Sequence, residues 1–354
     1  MPKRFLIIKL RHHGDVLLTT PVIDALKHAY PDCEVDMLVY AETADIIREN
    51  SQINQIFIID RNWKKQGIKQ QFHHEFTLLG SLKARKYDYV LNFSDQWRAA
   101  IIAKLCGQHA ISYRFGKRDN AAWRWCHDTL VDDFGKNNHI VEAHLQVLAP
   151  LNLPEYMPRV RMEISSQTQV SFQEKLRGQG WQGEDYVAIH PGSRWFFKCW
   201  DDDKMAALLQ KLLDNGQNIV LTAAPDLREQ KMIETLIGSL KMEGDGKLFV
   251  LSGCLNLREL AAAIAGAKLF IGVDSVPMHM AAALDKPQVA LFGATWVFRW
   301  RPYSDKATVI WAGDFGALPH PDSINTDDET RLLSAIPVDA VWEKVAEKLG
   351  IEAA

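Results

Sequence analysis

The sequence predicts an α/β protein built from two doubly wound parallel-sheet domains. Three observations carry that expectation. Short apolar runs alternate with amphipathic stretches along most of the chain, the signature of strand–helix repeats that put strands parallel and helices on both sheet faces. The alternation breaks once, at "LNLPEYMPRVRMEISS", where Pro154, Pro158 and a polar end mark a linker, and then restarts. The length, 354 residues, is too great for one ordinary core and comfortable for two.

In the first half, "FLIIKL" (5–10) reads as a buried strand, 16–29 as a helix, "EVDMLVY" (34–40) as a strand, 42–50 as a helix and "QIFIID" (55–60) as a third strand. "YDYVLNF" (87–93), "HAISYRF" (109–115) and a helix at 140–149 continue the series. In the second half the strands are "YVAIHPG" (186–192), "NIVLTAA" (218–224), "KLFVLSG" (247–253), "LFIGVD" (269–274) and "QVALFG" (288–293). Helices are expected at 202–215, closed by Asn215-Gly216, then at 226–240, 256–267, 276–284 and, started by Pro337, 337–349. The expected domains are 1–165 and 166–336, with 337–354 as a terminal helix packing back on the first.

Composition narrows the function classes. Hydrophobic residues make up 47% and charged residues 24%, the balance of a globular protein. Five scattered cysteines without a CxxC pair argue against a disulfide framework and a zinc site, and fit a reducing cytosol. The apolar core after Lys3 and Arg4 is too short for a signal peptide, and no run approaches the length of a spanning helix. A cytoplasmic protein is expected, with room for peripheral contact with a membrane. Net charge is −3, yet residues 61–118 hold twelve Lys or Arg against three Asp or Glu. That excess predicts a local anionic partner. No nucleic-acid motif accompanies it.

Chemically unusual stretches fall at the ends of predicted strands, where such folds bind ligands. That coincidence predicts one cleft between the two domains. "HPGSRWFFKCW" (190–200) offers Ser193, Arg194 and Lys198 after a strand, suited to a pyrophosphate although not a P-loop. "DDD" (201–203) reads as a helix start rather than a metal site. In "GVDSVPMHMAAAL" (272–284), Asp274 ends a strand, Ser275 is placed to cap the next helix, and His279 lies near the helix N-terminus, which favours an anion. Asp226 and Glu229 follow another strand, where a carboxylate can take a ribose diol. In "RHHGDVLLTTPVIDAL" (11–26), Asp15 is either a helix N-cap or a general base, with His12 and His13 as rivals for the base. The residues alone leave the three in contention.

Taken together, "HHGDVLLTTPVIDAL", "HPGSRWFFKCW" and "GVDSVPMHMAAALDKPQVALFGAT", in that order and spread from residue 5 to about 302, resemble the glycosyltransferase family 9 heptosyltransferases. The resemblance implies a GT-B fold, acceptor on the first domain and nucleotide sugar on the second. It implies ADP-heptose as donor, transferred with inversion to a phosphorylated lipopolysaccharide inner core at the cytoplasmic face of the inner membrane, nearest to the type that adds the third, branching heptose. No cofactor or essential divalent metal is implied. Asp15 would be the base, and Lys198, Ser193, Arg194, Glu229, Asp274, Ser275 and His279 would hold the donor. Arg61, Lys64, Lys65, Arg114, Lys117 and Arg118, with His12 and His13, are the expected acceptor contacts. Where many relatives have Thr-Gly after the aspartate, this chain has Ser275-Val276. A different nucleotide-sugar enzyme of the same fold, or a non-catalytic glycolipid-binding module, shares these features. The absent GxGxxG counts against a dinucleotide oxidoreductase.

Overall fold

The computed structural model describes residues 2–116, 118–132, 135, 137–241 and 244–352. They form two compact units, Met1–Glu163 and Ile164–Ala354.

The first unit carries strands β1 (Arg4–Lys9), β2 (Glu34–Tyr40), β3 (Gln55–Ile59), β4 (Tyr87–Asn92), β5 (Gly107–Tyr113) and β6 (Thr129–Val131). They pair in parallel in the order β3-β2-β1-β4-β5-β6. Residues 5–9 of β1 are all buried, as expected of a central strand covered on both faces. The order reverses between β1 and β4, whose registers match Phe5 to Tyr89 and Ile8 to Asn92. The crevice beyond their C-terminal ends is where an open α/β sheet takes ligands. The other end of the sheet is locked by Arg85, which donates to Asp36 and Glu34, and by the Tyr87 hydroxyl, 2.7 Å from Asp36.

Helices α1 (His13–Leu17), α2 (Thr20–Ala29), α3 (Ile68–Ala84), α4 (Trp97–Cys106), α5 (Ala121–Cys126) and α6 (Ile140–Gln146) complete this unit. The single helix expected over 16–29 is two. Pro21 lacks an amide hydrogen and cannot continue the first helix. The hydroxyls of Thr19 and Thr20 donate to the carbonyls of Val16 and Leu17, at 2.7 and 2.8 Å. The helix expected at 42–50 is a 3₁₀ turn, Ala41–Ile46.

The second unit has β7 (Val187–His190), β8 (Ile219–Ala223), β9 (Leu248–Ser252), β10 (Leu269–Val273), β11 (Gln288–Phe292) and β12 (Ala307–Trp311), ordered β12-β11-β10-β7-β8-β9. This is the topology of the first sheet repeated, with the reversal between β7 and β10. Its helices are α7 (Ser166–Gly178), α8 (Asp202–Asp214), α9 (Leu227–Gly238), α10 (Leu257–Gly266), α11 (Val276–Ala283), α12 (Val297–Trp300) and α13 (Val338–Leu349).

The placement of α13 corrects the expectation that it packs on the first domain. Val341, Trp342, Val345 and Ala346 join Trp200, Leu208, Leu209 and Leu212 in the second unit's own core. Trp200 Nε1 donates to the Ile336 carbonyl at 3.2 Å, fixing the chain just before the helix. Helices α3, α4, α5, α7 and α12 and strands β6 and β12 were not expected from the sequence. No helix among the described residues is long and apolar enough to cross a membrane.

Candidate active site

In the first unit, β1 delivers its last residue, Lys9, to the sheet's C-terminal end. The chain then turns into α1 with His12 in the N-cap position, its carbonyl accepting from the Val16 amide at 3.1 Å. Asp15 is therefore the third residue of the helix and caps nothing, which removes its helix-cap reading. Its Oδ1 lies 3.8 Å from Lys9 Nζ, with side-chain exposures of 19% for Asp15 and 6% for Lys9. The carboxylate is presented and the cation sits behind it.

Lys9 Nζ is also 3.2 Å from His144 Nε2 and 3.4 Å from the Phe93 carbonyl. His144 Nδ1 lies 2.9 Å from the Leu18 carbonyl. A carbonyl only accepts, so Nδ1 carries the proton and the Nε2 lone pair meets the ammonium. By the same rule His13, whose Nε2 is 2.8 Å from the Glu42 carbonyl, holds its proton there. His12 is exposed.

The basic segment is less charged than its sequence count. Arg61 pairs with Glu42 and lies over the Tyr40 ring. Arg85 pairs with Glu34 and Asp36, Arg98 with Glu75, and Lys104 with Asp128. Arg114 binds Asp119 and Asp132. Most of these acids lie outside 61–118, so the fold neutralises what a linear window leaves in excess. Arg118 donates to the Asp95 carbonyl at 3.1 Å. Lys64 and Lys65 are exposed on a 3₁₀ turn, Arg61–Lys65. Lys117 lies outside the described residues.

In the second unit, the loop after β7 brings Lys198, in the 3₁₀ turn Phe196–Lys198, to Asp274 at the end of β10. Nζ and Oδ2 are 2.8 Å apart, with side-chain exposures of 13% for Lys198 and 6% for Asp274. Here the carboxylate lies behind and the ammonium is presented. The Trp195 ring flanks Nζ at 4.9 Å. Ser193 is buried beside this pair's loop and Arg194 is exposed. Ser275 occupies the N-cap of α11, yet its Oγ turns back to the Val273 carbonyl at 3.3 Å and does not cap the helix, contrary to expectation. His279 is buried within α11. Asp201 precedes α8 and bonds Ser334, and Asp202 pairs with Arg331 at 3.0 Å.

Glu229 is buried beneath the same loop. Its Oε2 accepts from the Ala224 amide at 2.9 Å and stands 3.6 Å from His190 Nε2. Burial raises the Glu229 carboxyl, and the Ala224 amide partly offsets this. Burial pushes His190 down to about 4, and its Nδ1 meets Thr222 Oγ1 at 2.9 Å. The loop fits over this pair because Gly192 has no side chain: a Cβ there would stand 2.5 Å from Glu229 Oε2.

Sequence reading missed Lys9 and His144. Lys9 lies inside a strand run and His144 far along the chain, with nothing local to join them. It singled out the other loops as sequence-adjacent clusters, but could not see that each sheet pairs a presented charge with a buried opposite one.

A family model described as glycosyltransferase family 9 (heptosyltransferase) matches residues 76–328. Lipopolysaccharide heptosyltransferase 3 of Escherichia coli is 37% identical over 341 residues, covering 96% of this chain and 97% of the relative. Its counterpart in strain K12 is 35% identical over 333 residues, 94% of each. Among solved structures, the glycosyl transferase family 9 protein from Veillonella parvula DSM 2008 superposes with a TM-score of 0.84 at 22% identity, covering 98% of this chain and 97% of that one. E. coli heptosyltransferase WaaC with ADP gives 0.75 at 20% identity, covering 98% and 99%. These two are likenesses of fold, and the fold is GT-B.

Proposed function

This chain belongs to glycosyltransferase family 9, and from that membership we propose that it moves L-glycero-D-manno-heptose from ADP-heptose to a heptose of the lipopolysaccharide inner core, the third, branching one, with inversion. The observation that carries the chemistry is the reversed polarity of the two strand-order switch points. One presents a carboxylate and the other an ammonium.

Asp15 takes the proton of the acceptor hydroxyl as its oxygen attacks the anomeric carbon. The bond from that carbon to the diphosphate oxygen breaks, and ADP leaves with the electron pair. A positioned base contributes about 10²–10⁴-fold. Lys9, held by His144 and the Phe93 carbonyl, keeps the carboxylate oriented. Lys198 neutralises charge gathering on the leaving diphosphate, with Ser193, Arg194 and the first turn of α11 around it. Asp274 fixes the Lys198 ammonium, and His279 supports that turn from within. Glu229 stands at the adenosine end, where Oε1 is left for a ribose hydroxyl. Lys64, Lys65, Arg118, Lys117 and the His12–His13 turn meet the phosphorylated acceptor, with Arg61 and Arg114 contributing only by exchanging their carboxylate partners. The protein's own cations serve the leaving group, so added divalent metal is not required.

The test is turnover with purified protein, ADP-heptose and a phosphorylated inner-core oligosaccharide that lacks the branching heptose. ADP release matched by addition of one heptosyl residue is expected. Release without acceptor, or transfer only from another nucleotide sugar, overturns the assignment.

A further inference from the structure

Helix α3 carries two apolar faces. One is buried, through Leu78 and Leu82. The other points outward: Ile68, Phe72 and Phe76, one helical turn apart each, are 75%, 58% and 69% exposed. Scattered exposed apolar residues need no explanation, but a stripe of three large ones does. Ile101 and Leu105 of α4, also exposed, extend the patch across a groove of about 730 Å³ between the helices.

Three lysines border the stripe. Lys64, Lys65 and Lys69 are exposed and enter no ion pair among the described residues. The one carboxylate on α3, Glu75, is already bound by Arg98. Aromatic and branched side chains projecting outward, bordered by lysines that enter no ion pair among the described residues, match the surface of a lipid bilayer carrying anionic headgroups. They match a protein partner less well, because the carboxylates lining the groove, Glu75 and Asp60, are already engaged by Arg98 and by the Asn62 amide.

We propose that this face of α3 docks the first unit on an anionic bilayer, with Ile68, Phe72 and Phe76 entering the interface and the lysines resting on headgroup phosphates. The inference needs no sugar transfer and can be read without substrate.

The test is co-sedimentation of the full chain with vesicles of phosphatidylcholine alone and of phosphatidylcholine mixed with phosphatidylglycerol. Binding is expected on the anionic vesicles, weakening with salt, and little on the neutral ones. The double variant Phe72→Ser/Phe76→Ser is expected to lose about tenfold or more in partitioning, and Lys69→Glu about tenfold. Leu227→Ser, an exposed position on α9, should bind as the unchanged protein does. Thermal midpoints by circular dichroism show that each variant is folded. On a soluble, delipidated acceptor the double variant should turn over normally. Absent binding by the unchanged protein, or equal binding by the double variant, overturns the proposal. So does loss of soluble-acceptor turnover in the double variant, which would place the face in the acceptor site. A protein that binds vesicles but transfers no heptose would leave this proposal standing and defeat the assigned reaction.

Discussion

The two sheets share one strand order but use opposite charge arrangements at their switch points. In the first, Lys9 is buried at a strand end and Asp15 is presented 3.8 Å away. In the second, Asp274 is buried at a strand end and Lys198 is presented 2.8 Å away. Topology therefore sets where each charge pair sits, and the choice of which partner is buried sets the sign that is presented. A buried opposite charge holds the presented one in place.

The first way to break this comparison is Asp15→Asn. Because Asp15 caps nothing, the change removes the proposed proton acceptor without removing a cap. Turnover should fall by about 10²–10⁴-fold with donor affinity kept; near-normal kcat would return the base role to a histidine. Next comes Lys198→Ala, which removes the cation proposed for the diphosphate and leaves Asp274 buried alone. Donor affinity by calorimetry should weaken by about 10–100-fold, the value of a lost charge-assisted hydrogen bond. Adding Asp274→Asn should recover part of that loss, and no recovery would show that the two residues are not coupled. Lys9→Met tests the first unit's buried partner. Its contact with Asp15 is longer than a hydrogen bond, so kcat should drop only about five- to tenfold, with donor affinity untouched.

The smallest effect concerns pH. His190 is neutral when buried, and its pKa lies near 4 against an ordinary 6.5. The unfolded chain thus binds the proton first, and stability is lost as pH falls through that window, by about 3 kcal/mol at most. Glu229 works in the opposite direction. Its raised pKa means the folded state holds a proton more readily, so acid favours folding there. Glu229→Gln should therefore steepen the fall of thermal midpoint between pH 6.5 and 4; an unchanged slope would mean that the pair does not govern acid stability.

Much of this organisation was legible beforehand. The strands flanking the motifs carry dense β-branched and leucine runs, and both motif loops are local in sequence. What escaped notice has physical reasons. Helix α3 offers apolar residues on two sides, so no single stripe stands out. In α7 the buried set is only Thr168, Phe172 and Leu176, although Ser165 caps it. The apparent cationic excess at 61–118 shrinks because Glu34, Asp36, Glu42, Asp119, Asp128 and Asp132 reach it from outside that window. The Lys9–His144 contact joins residues 135 apart, beyond any periodicity.

The close fit of Gly192 over Glu229 ties the fates of two positions. A methyl group at 192 would push the carboxylate off the Ala224 amide, and the displaced acid would have to find new company in a dry interior. Shortening residue 229 to aspartate would reopen that space. Homologues should accordingly trade these two residues together, so that alanine at the first is tolerated only where the second has retreated by a methylene.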